Sequence, residues 1–419
     1  MTNLNTSNRL KNRYKAEKRF KILSMSALII GILILITLLS SITISAIPAF
    51  TQTSIGLDVQ MNDDDIQQFQ DDPNEVSWRS IQKSSLYELF PNVESRSQKK
   101  ELNKILSTAA YIKMKDFYIK NPSLIDKKNR IYVTASDDVD LVLKKIIDIT
   151  LPENMRTVSD DQLKYISFLN EDNRIKKQIS WKLFQNSDSR EPELAGLKGG
   201  IIGTLLTMFV TLIISFPIGV LAAIYLEEIA PKNRITDIIE VNINNLAAVP
   251  SIVYGLLGLA VFLNYLNMPR SAPLVGGIVL ALMTLPVIII ATRAALASIP
   301  PSIREAAYGV GASQMQVIIH HVVPLALPGI LTGTIIGIAR AAGETAPLLM
   351  IGMMAFIVDV PSKITDKATV LPAQIYMWAN NPERSFEYLT SAAILILLLI
   401  LIIMNLLAIV LRRKYERRW

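Results

Sequence analysis

The chain contains no cysteine among its 419 residues and only two histidines. The missing cysteine excludes disulfide bonds and metal–thiolate sites. The histidines, His320 and His321, are adjacent, so on a helix they point to different faces and form a poor metal pair or catalytic dyad. The sequence also lacks a G-x-x-x-x-G-K-[ST] phosphate loop, which excludes ATP binding through a Walker A site. We therefore expect this chain to be no enzyme and to bind no metal and no cofactor.

Long runs without charged residues dominate the rest of the chain, which is 51% hydrophobic with a mean hydropathy of +0.35. A hydrocarbon core about 30 Å thick requires roughly 20 apolar residues per helix. Six segments qualify: Ile22–Ala49, Gly199–Leu226, Val241–Leu266, Ser271–Thr292, Val322–Val358 and Leu389–Leu411. The first begins like a signal peptide, but it is too long and no convincing small-residue cleavage site follows it. The predicted fold class is an α-helical polytopic membrane protein with six transmembrane helices.

Basic residues at both ends predict the orientation of these helices. The amino terminus carries Arg9, Lys11, Arg13, Lys15, Lys18, Arg19 and Lys21, and the carboxyl terminus carries Arg412, Arg413, Lys414, Arg417 and Arg418. Lysine and arginine in short flanking segments mark the cytoplasmic side, so both termini are expected there, and six spans satisfy this. The net charge of +7 is thus mostly a topology signal. The sequence contains no basic stripe with interleaved aromatics, so we expect no nucleic-acid partner. The apolar spans are expected to be surrounded by membrane lipid.

The segment between the first two spans is polar and predicts a separate extracytoplasmic domain of mixed α/β structure. The expected division is a basic amino terminus (1–21), the first span (22–49), this outer domain (50–197), a permease core (198–412) and a basic tail (413–419). Residues Lys99–Lys120 carry apolar side chains at helical spacing, and Arg130–Thr134 has the composition of a strand. The consecutive Asp63 to Asp65 lack the spaced ligands of an EF-hand, which favours a solvated charged face over a calcium site.

The fifth apolar segment is too long to be one spanning helix. As a single helix, Val322–Val358 would extend about 55 Å at 1.5 Å per residue. We predict a break at Gly343 and Pro347, because proline cannot continue the hydrogen-bond ladder. Three glycines recur every fourth residue before that break, at Gly329, Gly333 and Gly337. They predict a smooth face for close helix packing.

Arg340 and Glu344 lie one helical turn apart within this fifth segment. Ionisable groups at membrane depth are expensive and usually face the bundle interior or an aqueous path. Two interpretations stay open. The pair could simply neutralise itself as an i,i+4 ion pair. Alternatively, Arg340 attracts an oxyanion in the translocation path through paired hydrogen bonds, and Glu344 holds Arg340 in place or prevents overly tight retention of the anion.

A cytoplasmic loop at about 298–322 contains the most informative string of the chain, which runs from Arg304 to Ile330 and begins REAAYGVGASQ. It resembles the EAA loop of ABC importer permeases, in which a short helix docks into a groove of the ATPase subunit. Five small residues (Ala306, Ala307, Gly309, Gly311 and Ala312) allow a partner to approach the backbone closely, while Arg304 and Glu305 are predicted to supply charges at the rim. The alternative is an interfacial helix lying flat on the membrane.

Four further strings resemble the PstA-type permeases of phosphate ABC importers. They are GIARAAGETAPLLMIG in the fifth segment, NNLAAVPSIVYGLLGL, SAPLVGGIVLALMTLP and TVLPAQIYMWA. The resemblance covers residues 199–419 densely, and the outer domain resembles the extra region of a long subgroup through ASDDVD and DSREPELAG. His321 and Val323 depart from the isoleucine and leucine of the general EAA pattern.

This resemblance implies a permease of the ABC importer type that moves inorganic phosphate across the inner membrane. The implied partners are a PstC-type second permease, a dimer of PstB-type ATPases that uses ATP and magnesium, and a PstS-type phosphate-binding protein. A permease for another oxyanion such as sulfate or molybdate remains an alternative. A membrane-bound sensor would need a signalling module after Leu411, and a secondary transporter would show inverted repeats. Because six spans and the docking loop make a complete permease, we expect the outer domain to be an accessory.

Overall fold

A computed structural model describes residues 3–415, so Arg417 and Arg418 of the basic tail lie outside the described residues. Five helical stretches are long and apolar enough to cross a membrane: Arg9–Phe50, Lys198–Ile229, Pro273–Ala297, Gln314–Ala342 and Ser385–Lys414. A bent pair, Arg234–Ala247 with Ser251–Tyr265, makes up to six if it counts as one span. The chain is therefore helical and polytopic, as predicted.

The first helix and the helices from residue 198 onward have the following bounds. They are α1 (Asn3–Ala46), α9 (Lys198–Ile224), α10 (Arg234–Ala247), α11 (Ser251–Leu257), α12 (Pro273–Ala297), α13 (Pro301–Gly309), α14 (Gln314–Gln316), α15 (Val323–Ala342), α16 (Ala346–Met350), α17 (Leu371–Ala379) and α18 (Ser385–Tyr415). Three π-helical segments extend or join them, at Tyr225–Ile229, Gly258–Tyr265 and Val317–Val322.

The third predicted span, Val241–Leu266, is wrong as a continuous helix. Helix α10 ends at Ala247, α11 begins at Ser251, and the two axes meet at 102°. Pro250 lies at the corner in extended conformation (φ −57°, ψ 138°). Proline disfavours a helical conformation of the preceding residue and donates no backbone hydrogen bond, so the apolar composition continues through a point at which the helix cannot.

The predicted break of the fifth segment is confirmed. Helix α15 ends at Ala342, Gly343 follows it, and the short helix α16 begins at Ala346. The glycine face also packs as predicted, against α12. A methyl group added at Gly333 would lie 2.2 Å from Cβ of Ala291, and one at Gly329 would lie 2.6 Å from Cβ of Ala295. Only glycine at these positions lets the two helices approach this closely.

A three-stranded antiparallel sheet lies between α1 and α9. Its strands are β1 (Thr51–Val59), β2 (Asn129–Thr134) and β3 (Ile175–Ile179), in the order β2-β1-β3. The prediction of a strand at Arg130–Thr134 is confirmed. Seven helices accompany the sheet: α2 (Asp63–Asp71), α3 (Trp78–Leu89), α4 (Arg96–Asn103), α5 (Ala110–Lys120), α6 (Asp137–Leu143), α7 (Asp160–Glu171) and α8 (Lys182–Gln185). We call residues 51–197 the sheet domain.

The predicted helical stretch Lys99–Lys120 is divided into α4 and α5. Between them, Leu106 forms a β-bridge with Ala135, and the Ser107 amide donates a hydrogen bond to the Thr134 carbonyl at 3.1 Å. Pairing with the end of β2 thus overrides local helical propensity. Asp63 to Asp65 form the first turn of α2, where Asn62 caps the helix and negative charge is favourable.

The sheet domain does not pack as a separate unit. One continuous apolar core runs from its strands and helices into α17 and the first half of α18, where it includes Trp378, Phe386 and Tyr388. The indole Nε1 of Trp378 donates a hydrogen bond to the buried Asp188 carboxylate at 2.9 Å. The predicted boundary at 197/198 is therefore a connection in sequence, and the side chains on its two sides share one core.

Candidate functional site

Helix α13 contains the string that resembles an EAA loop. It begins with Pro301 in its first turn, where a missing amide hydrogen costs nothing and the fixed φ favours a helix. It ends in two hydrogen bonds: the Gly311 amide donates to the Tyr308 carbonyl at 2.9 Å and the Ala312 amide donates to the Ala307 carbonyl at 3.1 Å. Together with φ of +88° at Gly311, these define a Schellman motif.

Gly311 therefore has a conformational role that sequence reasoning missed. We predicted that it leaves room for a partner's backbone, and the space beside it is indeed open, since an added Cβ meets nothing within 4 Å. Its left-handed φ is an equally strong reason for glycine there, because other side chains rarely adopt it. The turn positions Ser313, which caps the next helical segment in a capping box with Gln316.

Arg304, which we predicted to supply a charge at the rim of the docking helix, fastens α13 to the rest of the chain. Its guanidinium donates two hydrogen bonds to the Glu228 carboxylate, at 3.2 and 2.6 Å. It donates two more to the carbonyls of Leu296 and Ile299, at the end of α12. The Glu228 hydrogen bonds also raise the pKa of Arg304 above its ordinary value. One side chain thus joins α13 to two other helical segments.

The remaining residues of the predicted docking set divide between the two faces of α13. Ala307 is buried and packs with Leu296 and Val317, so it faces the chain itself. Glu305 and Ala306, which we predicted to face a partner, are exposed. Three apolar side chains that we did not single out extend this exposed surface: Tyr308, Val310 and Met315. Val310 is 84% exposed. We call these five residues, with Gly311, the docking surface.

A second ionic cluster lies beside the first. Arg293 donates hydrogen bonds to Glu227 at 3.1 Å and to Glu240 at 2.7 Å, which joins α12 to the end of the second span and to α10. Glu227 and Glu228 are adjacent in the π-helical segment Tyr225–Ile229, and π-helical turns are common at functional sites. Sequence reasoning missed both glutamates. The signal in the sequence was the acidic pair Glu227–Glu228 at the end of an apolar span. The arginines that pair with it, Arg293 and Arg304, lie in and just after the fourth span.

Arg340 lies at about half the height of the helical bundle, measured along α12. The contacts Gly329–Ala295 and Gly333–Ala291 set an antiparallel register between α15 and α12. Arg340 is seven residues after Gly333, and Thr284 is seven residues before Ala291. The register therefore places Arg340 at the level of Thr284, close to the centre of α12. The Arg304 contact at Leu296 is twelve residues further along α12, about 18 Å away along the helix axis.

The pair of Arg340 and Glu344 is looser than an i,i+4 pair within one helix. Helix α15 ends at Ala342, so Glu344 lies in the turn that follows it. The Nε atom of Arg340 is 3.7 Å from Oε1 of Glu344, which is within reach of an ion pair and beyond a hydrogen bond. The Arg340 side chain is 52% exposed within the chain. Its guanidinium donors are consequently available to another group.

Two of the strings singled out in the sequence meet beside this pair. Helix α11 comes from NNLAAVPSIVYGLLGL, and α16 comes from GETAPLLM, the stretch that begins one residue before Glu344. A methyl group added at Gly255 of α11 would lie 2.6 Å from Cα of Pro347 in α16. The bend at Pro250 and the break after Ala342 therefore bring two short helices into direct backbone contact at the level of the bundle centre.

Comparison with known proteins matches most of the chain to two families. Residues 194–419 match the family described as "Binding-protein-dependent transport system inner membrane component", and residues 7–153 match a "Domain of unknown function (DUF3333)". The first range contains α13, Arg340 and Glu344. A chain of the inward-facing MetNI methionine ABC transporter, 19% identical in sequence, covers 52% of this chain with a TM-score of 0.43.

Three relatives describe the similarity in sequence. The phosphate transport system permease protein PstA 1 of Mycobacterium tuberculosis H37Rv is 32% identical over 217 residues, which are 52% of this chain and 70% of that protein. PstA of Yersinia pestis is 33% identical over 221 residues, or 52% of this chain and 73% of that protein. The probable ABC transporter permease protein YqgI of Bacillus subtilis is 32% identical over 173 residues, and the match spans 58% of its length.

Proposed function

Because the chain belongs to the binding-protein-dependent transport system inner membrane components, and among them to the PstA-type permeases, we propose that it is a membrane-spanning subunit of an ATP-driven importer of inorganic phosphate. The observation that carries this proposal is the identity of about one third to two phosphate permeases, each over more than two thirds of the relative's length. The family match includes both the docking surface and Arg340.

We infer that the docking surface on α13 binds an ATPase subunit. The surface combines exposed apolar side chains with Glu305, and it lies on a helix that ionic contacts fix to the ends of two spans. The sequence contains no phosphate loop of its own, so ATP and magnesium would be used by that partner. The other proposed partners are a PstC-type second permease and a PstS-type phosphate-binding protein. None of these is a nucleic acid.

We also propose the orientation and the domains that follow from this role. Both termini and α13 lie in the cytoplasm, and the chain crosses the inner membrane several times. The sheet domain, of mixed α/β structure, then lies outside the cytoplasm. It follows α1, a single span that begins in the cytoplasm, and it precedes α9, the span that returns there. Residues 1–21 and 413–419 form the basic cytoplasmic ends, and the positive charges there support this orientation.

Arg340 is the residue that we propose for the anion path, with Glu344 holding its side chain nearby. A guanidinium presents parallel donors that match the oxygens of an oxyanion. The half-exposed side chain and the 3.7 Å separation from Glu344 leave these donors available. Position supports the same role, since the register with α12 places Arg340 near the bundle centre, where an unpaired charge is expensive unless it faces an aqueous path.

A first experiment measures uptake in cells from which the chain has been deleted and then restored. We expect restored cells to take up labelled phosphate and a tenfold excess of sulfate or molybdate to leave that uptake unchanged. Competition by either anion would replace phosphate with another oxyanion as the substrate, and uptake that is equal with and without the chain would remove the transport role.

A second experiment tests the docking surface separately. Gly311→Asp adds a charge where a partner is proposed to approach, but it also replaces a residue with φ of +88°. Gly311→Asn is the matched control, because asparagine is nearly isosteric, uncharged and tolerates the left-handed region. We expect the aspartate variant to insert normally and to lose ATPase binding, and the asparagine variant to retain it. Equal ATPase binding by both variants would contradict the assignment.

A further inference from the structure

The end of the first apolar helix is well defined in the structure. The apolar part of α1 from Ile22 to Ala46 is about 38 Å long at 1.5 Å per residue, enough to cross the hydrocarbon core. A 3₁₀ turn, Ile47–Phe50, follows it and contacts the start of α18. The Lys144 ammonium group lies over the Tyr388 ring of α18 at 5.2 Å and also donates hydrogen bonds to carbonyls in and just after the 3₁₀ turn. The end of α1 and the start of α18 therefore lie at the same level, and we call this place the exit of α1.

The end of β3 returns to this exit. Strand β3 pairs with β1 so that Ile179 is opposite Thr51, the first residue after the 3₁₀ turn. The Ser180 amide donates a hydrogen bond to the Phe50 carbonyl at 2.9 Å, and Phe184 stacks on Phe50. Ile179 is 69% exposed and Trp181 is 61% exposed. Two large apolar side chains thus project from the sheet domain beside the point where α1 emerges.

The loop after α6 reaches the same place from the other side. Lys144 donates hydrogen bonds to the carbonyls of Pro48 at 2.7 Å and Thr51 at 2.8 Å, on either side of the exit. Lys177 of β3 donates to the Leu143 carbonyl at 3.2 Å, which joins the loop to the strand. Ile146, two residues after Lys144, is exposed, and the exposed Ile149 and Leu151 continue the loop.

We propose that four exposed residues at this exit, Ile146, Ile179, Trp181 and Phe184, rest in the headgroup and upper acyl region of the phospholipid bilayer. We call them the juxtamembrane patch. The patch is continuous with α1, whose apolar side chains are themselves exposed along the helix. Tryptophan is favoured at this depth because its ring is apolar and its N–H is polar. The exposed Lys145 is next to Ile146 in the same loop, from which a lysine side chain can reach a lipid phosphate.

This contact gives the sheet domain a lipid-bound face in addition to its shared core with α17 and α18. The domain is then held on the membrane at two sides of α1, which fixes its tilt relative to the spans. A domain that only projected into the aqueous phase would leave Ile179 and Trp181, which are 69% and 61% exposed, in contact with water next to its membrane anchor.

The absence of cysteine allows a direct test, because a single introduced cysteine is labelled uniquely. Ile179→Cys carries a fluorescent label in the full chain, reconstituted in phospholipid nanodiscs that contain a lipid with a nitroxide high on its acyl chain. Ile119→Cys is the matched control. It is also an exposed isoleucine, near the end of α5. The chain that follows α5 is held at the far end of β1, because Asn129, which pairs with Val59, donates a side-chain hydrogen bond to the Leu124 carbonyl at 2.7 Å. That end of β1 is about 26 Å from Thr51 at 3.3 Å per residue.

We expect the nitroxide lipid to quench the label at position 179 at least threefold more strongly than the label at 119, and iodide in the water to show the opposite order. Equal quenching at the two positions overturns the proposal. A label at 179 shielded from both quenchers also overturns it, because the patch would then be covered by protein. A second measurement needs no label: Trp181→Phe should remove most of the tryptophan fluorescence that brominated lipids quench, and unchanged quenching contradicts the contact.

Discussion

Arg304 and Glu228 are joined by two hydrogen bonds, and this pair connects helix α13 to the end of the second span. The Glu228 side chain is only 9% exposed and that of Arg304 is 23% exposed, so the pair is largely removed from water. Gln314 adds a third bond by donating to the Glu228 carbonyl at 3.0 Å. Arg304 thus connects α13 to the second span and, through carbonyls at the end of α12, to the fourth.

Breaking this pair should uncouple docking from transport. Removing one partner of a partly buried pair leaves the other charge without compensation. We expect Arg304→Glu and Glu228→Arg each to lower phosphate uptake about tenfold, the equivalent of about 1.4 kcal/mol, while the membrane level of the protein is kept. The charge-swapped double variant should recover a large part of the uptake. Arg234→Glu, at an exposed arginine near the same end of the bundle, serves as the control and should be close to unchanged. No recovery in the double variant would contradict a direct coupling through this pair.

Arg340 should matter for its guanidinium and not only for its charge. Lysine keeps the charge but loses the planar paired donors. We expect Arg340→Lys to retain insertion and ATPase binding but to transport phosphate about tenfold more slowly, with Arg340→Gln slower still, consistent with charge-assisted hydrogen bonds of about 1.5–3 kcal/mol. Uptake is compared at equal expression.

The double variant Arg340→Gln with Glu344→Gln distinguishes the two interpretations of the pair. If Arg340 only balances Glu344, removing both charges leaves no unpaired group and uptake returns. If Arg340 contacts the anion, the double variant stays as slow as Arg340→Gln. The loose 3.7 Å geometry favours the second result.

The sheet domain should be integral to the protein, contrary to our expectation from the sequence. Its core continues into α17 and α18, so removing residues 51–190 would expose Trp378, Phe386 and Tyr388 together. Trp378→Phe is a smaller test, because it removes the donor to the buried Asp188 and leaves the ring volume largely filled. An unsatisfied buried acceptor costs about 1–3 kcal/mol, so we expect a lower apparent Tm. Tyr265→Phe, at a ring that is 80% exposed, is the control. An unchanged Tm for Trp378→Phe would indicate separable domains.

Glu193 should make stability depend on pH. Burial raises the pKa of its carboxyl to about 7 from 4.5, and its Oε2 atom has no hydrogen-bond partner. The folded state thus binds a proton that the unfolded state releases, so the associated stability is present below pH 4.5 and is lost as the pH rises through 7. We expect Glu193→Gln to raise the apparent Tm at pH 8.5 and to change it little at pH 5. Glu191→Gln, exposed in the same segment, should show no such pH dependence. A gain at Glu193 that is independent of pH would contradict the buried carboxyl.

Periodicity and apolar length predicted the elements whose causes are local. The break after Ala342 follows from Gly343 and Pro347, and the strand at Arg130–Thr134 follows from its composition. The glycine face of α15 was predicted because its residues recur at helical spacing. The 102° bend at Pro250 was missed although the proline is visible, since the surrounding composition satisfies a length criterion that does not consider backbone geometry.

Contacts between segments that are distant in the chain could not be predicted from the sequence. Arg304 was predicted to supply a charge at the rim of a docking helix, and its partner Glu228 is 76 residues away in the sequence. Asp188 and Trp378 are 190 residues apart, and that one contact is part of the core that the predicted domain boundary divides. Charged and amphipathic side chains do not reveal their partners through periodicity, so the partners of Arg304 and Trp378 could be identified only from the fold.

The most direct test of the central claim is phosphate uptake into proteoliposomes that contain this chain, its partner permease and the ATPase, with the phosphate-binding protein added on the opposite face. The account predicts uptake of labelled phosphate that requires ATP and this chain, and that falls together with ATPase binding in Gly311→Asp. Uptake that persists without the chain, or the absence of ATP-dependent uptake in the complete assembly, would contradict it.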